Sequence, residues 1–342
     1  MRRGRCRIYP LVLLAVAFGA PPLVTQTVTN SQDLPPSDRT AFLNAMQEQK
    51  AGNLVAALKL YQQVHREVPS FDAALFNMGL IYDQEGLTDK ALDCFRSIAA
   101  RSPDYPNLNL FIGIEETKRG NALMAVAPLS LAAKQNPQEK EAWFWLARAQ
   151  LSLKNDDAAM SAATQASSTA ANDPSVLFLI ARIYMDQQDW LHGAETLNGI
   201  LRDHPDLPGI HEALGTCYFM QDEFDLAMTQ YNDELAIDHT NGKASAMIGL
   251  ILSQKGNFQS AIPYLESALK QNPNIIMLQL KLSRALWSAG NIPDAVIHAE
   301  AAEKLDQQNV DAHYILLRLY RELGRTADAK RELAIFQNLI QK

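Results

Sequence analysis

The feature that most restricts what this 342-residue chain can fold into is a period. Pro69, Pro103 and Pro137 fall 34 residues apart, and Pro205 and Pro273 lie on the same register. Counted from Asp38, nine repeats follow without insertion or deletion: 38–71, 72–105, 106–139, 140–173, 174–207, 208–241, 242–275, 276–309 and 310–342. A fixed period of this length predicts stacked supersecondary units, each unable to bury its apolar face alone. A single core stops growing near about 250–300 residues, a limit that a repeat array escapes. Hydrophobic residues make up 47% and charged residues 20%, which suffices for a packed interior.

The columns within the period say what each repeat is. Position 20 reads Ala57, Ala91, Ala125, Ala159, Gly193, Ala227, Ala261, Ala295 and Ala329. Position 8 is small in Ala45, Gly79, Gly113, Ala147, Ala181, Gly215, Gly249 and Ser283, before Leu317 breaks the rule, so two helices can approach closely there. Position 15 is glycine in Gly52, Gly86, Gly120, Gly256, Gly290 and Gly324, which suits the left-handed residue ending a helix. A turn is therefore expected in the middle of each repeat.

This pattern resembles the tetratricopeptide repeat family, and Leu75, Gly79, Tyr82, Gly86, Ala91, Phe95 and Pro103 match its unit nearly throughout. The resemblance covers residues 38–342 and implies an all-α fold, an α-solenoid of about nine helix-turn-helix repeats. It further implies a right-handed superhelix whose first helices line a concave groove. The fourth repeat departs most, with Lys154 for the turn glycine, Ala163 for the bulky residue and Ala171 for the closing proline. Its small side chains predict a soft seam near residues 155–175. The first repeat is polar where others are apolar, at Asn44 and Glu48, as an end cap requires.

The N-terminus reads as an export signal: Arg2, Arg3, Arg5 and Arg7 precede a short apolar run from Leu11 to Ala20. Ala17 and Gly19 place the expected cleavage after residue 19, with an uncleaved anchor as the alternative. Loss of residues 1–19 removes four positive charges and moves the formal charge from −7 to −11. That acidity argues against nucleic acid and against anionic membrane surfaces. Residues 20–37, polar and proline-containing, are expected to form a flexible linker. No Asn begins an Asn-x-Ser/Thr sequon, which points to a periplasmic or secreted bacterial protein. Cys94 and Cys217 lie four repeats apart and read as small buried residues, not a disulfide.

No constellation for catalysis, metal or cofactor binding stands out. The seven histidines show no i, i+4 pairing, the neighbouring acids Glu115 and Glu116 point in different directions on a helix, and no phosphate-binding glycine loop occurs. The chain is therefore expected to be non-enzymatic and to bind proteins or extended peptide segments. On the first helices, positions 4, 7, 8 and 11 cluster as a packing stripe, leaving positions 2, 5, 9, 12 and 13 on the opposite face. Position 5 carries Phe42, Phe76, Leu110, Phe144, Phe178, Leu280 and Tyr314, and position 9 carries Arg148, Arg182, Arg284 and Arg318. These residues form the candidate partner surface, the arginine pairs being suited to carboxylates or carbonyls. The family's clamp for chain-terminal carboxylates uses Lys at position 5 and Asn at position 9 of one repeat, a combination absent here. The alternative reading is architectural: a self-associating solenoid joined through its C-terminal helix, or a membrane-anchored assembly factor.

Overall fold

The computed structural model describes residues 32 and 34–341, and among them it consists of helices and turns with no strand. Eighteen helices follow one another in pairs, forming an all-α solenoid of tandem repeats. The expected signal segment and most of the expected linker lie outside the described residues. At its end, however, the linker expectation is corrected: Leu34 is buried, Arg39 donates to the carbonyls of Gln32 and Leu34, and the first helix already begins at Pro36.

Two compact bodies divide the described residues, one ending at Asp189 and the other beginning at Trp190. The first holds α1 (Pro36–Lys50), α2 (Leu54–Glu67), α3 (Asp72–Gln84), α4 (Thr88–Ala99), α5 (Leu108–Lys118), α6 (Ala122–Gln135), α7 (Lys140–Ser152), α8 (Asp156–Thr169) and α9 (Pro174–Asp186). The second holds α10 (Trp190–Asp203), α11 (Ile210–Met220), α12 (Phe224–Ile237), α13 (Gly242–Gln254), α14 (Phe258–Gln271), α15 (Ile276–Ser288), α16 (Ile292–Leu305), α17 (Val310–Glu322) and α18 (Thr326–Ile340). Each body has its own apolar core.

The column chemistry explains the packing. A Cβ added at Gly79 would fall 2.5 Å from the Phe95 ring, and Gly113, Gly215 and Gly249 stand in the same way against Leu129, Tyr231 and Leu265. Position 8 is thus empty because position 24 fills it. The mid-repeat turn is left-handed in all nine repeats, including three where the residue is not glycine: Lys154 (φ 61°), Gln188 (φ 62°) and Asp222 (φ 64°). The turn's backbone closes the preceding helix, as where Gly52 N–H donates to Gln49 and Asn53 N–H to Glu48. Position 34 starts the next helix in alternate repeats, with Asp173, Asn241 and Asn309 accepting from backbone N–H groups one turn ahead.

Helix α8 is continuous, but its buried residues are Ala159, Ala162, Ala163 and Ala166, whereas α4 buries Leu92, Cys94, Phe95 and Ile98. Cys94 and Cys217 are both buried free thiols, which burial pushes up to about 11 and about 12.

Candidate functional site

A first helix inside a stack meets three neighbours, its own second helix and the first helices before and after it, so the simple division into a packing stripe and an opposite open face is too coarse. Position 5 falls on the side that meets the following repeat. Phe42 packs on Tyr61 and on Phe71, with centroids 5.0 Å apart in the latter pair. Phe76 packs on Phe95, Tyr105 and Phe111 of the next repeat, the last at 5.4 Å. Leu110, Phe178 and Leu280 are likewise buried. These five residues, expected on an open surface, are part of the apolar interior. Phe144 is half-buried, and Tyr314, in the last repeat, is exposed although it touches Phe336.

The position-9 arginines stay accessible, but the two pairs differ. In the C-terminal body Arg284 lies 3.4 Å from Asp311, while Arg318 donates to the Tyr314 hydroxyl at 3.1 Å and lies over Trp287. In the N-terminal body Arg148 lies 4.4 Å from the Trp145 ring centroid and 5.8 Å from that of Phe144. Arg182 stands at the same register on α9, which touches α7. Among the described residues no carboxylate comes within ion-pair distance of either guanidinium, the nearby Asp186 being bound to Lys154 at 2.7 Å. Burial, and then the charge of Arg182, hold the Arg148 guanidinium below its usual range; burial does the same to Arg182, against the pull of Asp186. Both remain cations.

Every other cation on α5, α7 and α9 is matched. Lys118 bonds Asp83 and Glu115, and Lys140 bonds Asp173 at 2.9 Å and Glu141. Glu115 is wholly buried; burial and then the adjoining Asp83 carboxyl push it up to about 7, against the pull of Lys118. Trp145 is the piece of this face that the repeat columns do not reveal, because position 6 falls in neither the packing stripe nor the opposite set. It lies between Arg148 and Lys118, the latter 5.9 Å from its ring. Three consecutive aromatics, Trp143, Phe144 and Trp145, were the available signal.

Elsewhere, a second grouping was also missed. Glu303, His313 and Glu332 place their ligand-capable atoms within 4.8 Å of one another in the C-terminal body. Both imidazole nitrogens are already used, Nδ1 on Glu332 at 2.7 Å and Nε2 on the Gln307 carbonyl at 3.0 Å. Nε2 must donate to the carbonyl and one proton is shared between Nδ1 and Glu332, so neither nitrogen has a lone pair free for a metal ion. No helix of the described residues is long and apolar enough to cross a membrane.

Comparison with known proteins places this geometry in context. Family models for the tetratricopeptide repeat match residues 42–106, 119–174, 178–242 and 280–334, and a second such model matches 242–275. The Bacillus subtilis TPR repeat-containing protein YpiA is similar at 19% identity over 86% of this chain and 69% of its own length. BBSome complex member bbs-4 of Caenorhabditis elegans is similar at 26% identity over 56% of this chain, which spans only 43% of that protein. Among solved structures, a tetratricopeptide repeat protein from Parabacteroides merdae superposes with a TM-score of 0.59 at 16% identity, covering 74% of this chain and 100% of that one.

Proposed function

The chain belongs to the tetratricopeptide repeat family, whose fold mediates protein–protein interaction, and on that premise we propose that it is a non-enzymatic scaffold that takes an extended segment of a partner protein on the first-helix face of its N-terminal body. The observation that carries this reading is the accessible group of Phe144, Trp145, Arg148 and Arg182 on α7 and α9, where the other position-5 residues of the same body, Phe42, Phe76, Leu110 and Phe178, are buried. The Arg-rich start and short apolar run of the sequence support export to a periplasmic or extracellular space, with the mature chain beginning near Ala20.

The test uses a photo-crosslinking amino acid placed at Ser152 on α7 and, as a control, at Thr164 on the outer helix α8 of the same repeat. A discrete adduct in the native compartment from position 152 and none from 164 is the expected result. Adducts from 164 alone, or from neither, reject the groove. N-terminal sequencing of exported protein that still begins at Met1 rejects cleavage in favour of an anchor.

A second reading, self-association, rests on α18. It buries only Ala329 and Glu332, while Ile340 is exposed and Phe336 and Leu339 are half-buried. Sedimentation of the full chain against one ending at Ile335 tests it, a concentration-independent monomer in both rejecting it.

A further inference from the structure

This inference rests on the groove reading above and names the chemistry of its occupant. The N-terminal body carries two guanidiniums, Arg148 and Arg182, at one register on touching helices, half-buried and, among the described residues, with no carboxylate within ion-pair distance, Asp186 attracting Arg182 only from farther off while it binds Lys154. A chain with 38 acidic and 31 basic residues has carboxylates to spare, and it supplies them to Lys118, Lys140, Lys154 and Arg284. The two arginines are the unmatched cations of the first helices α5, α7 and α9. Two like charges partly removed from water and near enough to repel are a standing cost to the fold. An anion that bridges them removes that cost, and a guanidinium's planar fork suits a carboxylate in particular.

The spacing limits the ligand further. Packed helices lie roughly 8–10 Å apart, and an extended chain advances about 3.3–3.6 Å per residue. One carboxylate per guanidinium therefore means acidic side chains two or three residues apart. Beside Arg148, the half-buried rings of Phe144 and Trp145 offer an apolar shelf next to the charge. We propose that Arg148 and Arg182 recognise an acidic extended segment, with two Asp or Glu residues two or three positions apart and an apolar residue that rests on Phe144 and Trp145.

The probe is a library of random dodecapeptides displayed on phage, selected on the full chain. The expected result is enrichment of peptides with paired acids at that spacing beside an apolar residue. A synthetic winner should bind at least tenfold less tightly when its two acids become Gln or Asn, or when the protein carries R148Q and R182Q. R182Q alone is the safer variant, since Arg182 makes no stacking contact that its loss would disturb, and it should cost severalfold with an unchanged melting temperature. Acidic winners that bind the double variant as well as wild type overturn the proposal, as does competition by millimolar inorganic phosphate far exceeding that by acetate, which would mark a phosphate site. Winners that are neutral or basic and lose binding in Phe144→Ala overturn the acidic chemistry but leave the groove standing. No enrichment over the N-terminal body by any peptide removes both.

Discussion

His313 and Glu332, nineteen positions apart and both buried, share a hydrogen bond of 2.7 Å that joins the two helices of the last repeat. The other nitrogen of His313 reaches back to the carbonyl of Gln307 in the repeat before. The same two-way reach recurs at the same positions. His211 bonds Gln230 and the Pro205 carbonyl and Gln279 bonds His298 and the Pro273 carbonyl, while Trp143 makes only the backward half, donating to the Pro137 carbonyl. Position 4 is therefore a polar rivet that ties each of these repeats to its predecessor.

The rivet predicts a swap. Breaking the buried pair with Glu332→Ala is expected to cost about 3–5 kcal/mol, because it leaves His313 Nδ1 buried without the partner it was paired with. His313→Gln together with Glu332→His reproduces the Gln279 and His298 arrangement, and is expected to recover at least half of that loss in chemical denaturation. Singles and double equally unstable would show that the pairing is not transferable.

Burial alone would lower the His313 pKa, but its bonds to Glu332 and the Gln307 carbonyl carry it above the ordinary value. A raised folded pKa gives stability that is fully present below the unfolded pKa of about 6.5 and is lost as pH rises through the folded value. Glu115 has the same sign for a different reason: with its carboxyl at about 7, the folded state binds a proton that the unfolded state has released. Stability drawn from Glu115 is present below about 4.5 and disappears as pH climbs to about 7. Melting of wild type and Glu115→Gln between pH 5 and 8 should show their difference moving in favour of the variant as pH rises. A difference independent of pH would contradict the shift.

The three left-handed turn residues that carry side chains are strained where glycine is not. Gln188→Gly and Asp222→Gly are each expected to raise stability by about 0.5–1 kcal/mol, despite the extra freedom glycine has when unfolded. Lys154→Gly should gain less, since it gives up the bond to Asp186. A fall in melting temperature for Gln188→Gly would mean that the backbone there is at ease.

Helix α8 is expected to exchange its amide hydrogens faster than α4 or α6, because four alanines bury little surface and local opening is cheapest where contacts are fewest. Equal protection of the three helices, measured by hydrogen exchange with mass spectrometry, would refute it.

The nine-fold period, the paired helices and the turns could all be read from the columns, since small residues, glycines and prolines act through local sterics that need no partner to interpret. Phe76 could not be placed, because its burial depends on Phe111 of a neighbouring repeat whose angle of approach no single repeat encodes, nor could Phe42, whose partners Tyr61 and Phe71 lie outside its own helix. The Arg148 and Arg182 pair was visible as a register coincidence, while its lack of a counter-charge depended on Asp186 turning to Lys154. His313 and Glu332 were passed over for want of an i, i+4 spacing, although their separation of nineteen recurs as His211 with Gln230 and Gln279 with His298.

The rivet at position 4 takes its inter-repeat acceptor from the main chain, and a main-chain carbonyl is supplied by whatever residue precedes it. A repeat that brings its own donor can thus be transplanted behind an unfamiliar neighbour without co-mutation. The bond from Lys118 to Asp83 lacks that freedom, because both ends are side chains and must travel together. Duplication and shuffling of such modules are easiest where the joint depends on one partner only, and the repeats that carry His211, Gln279 and His313 are built for that kind of exchange.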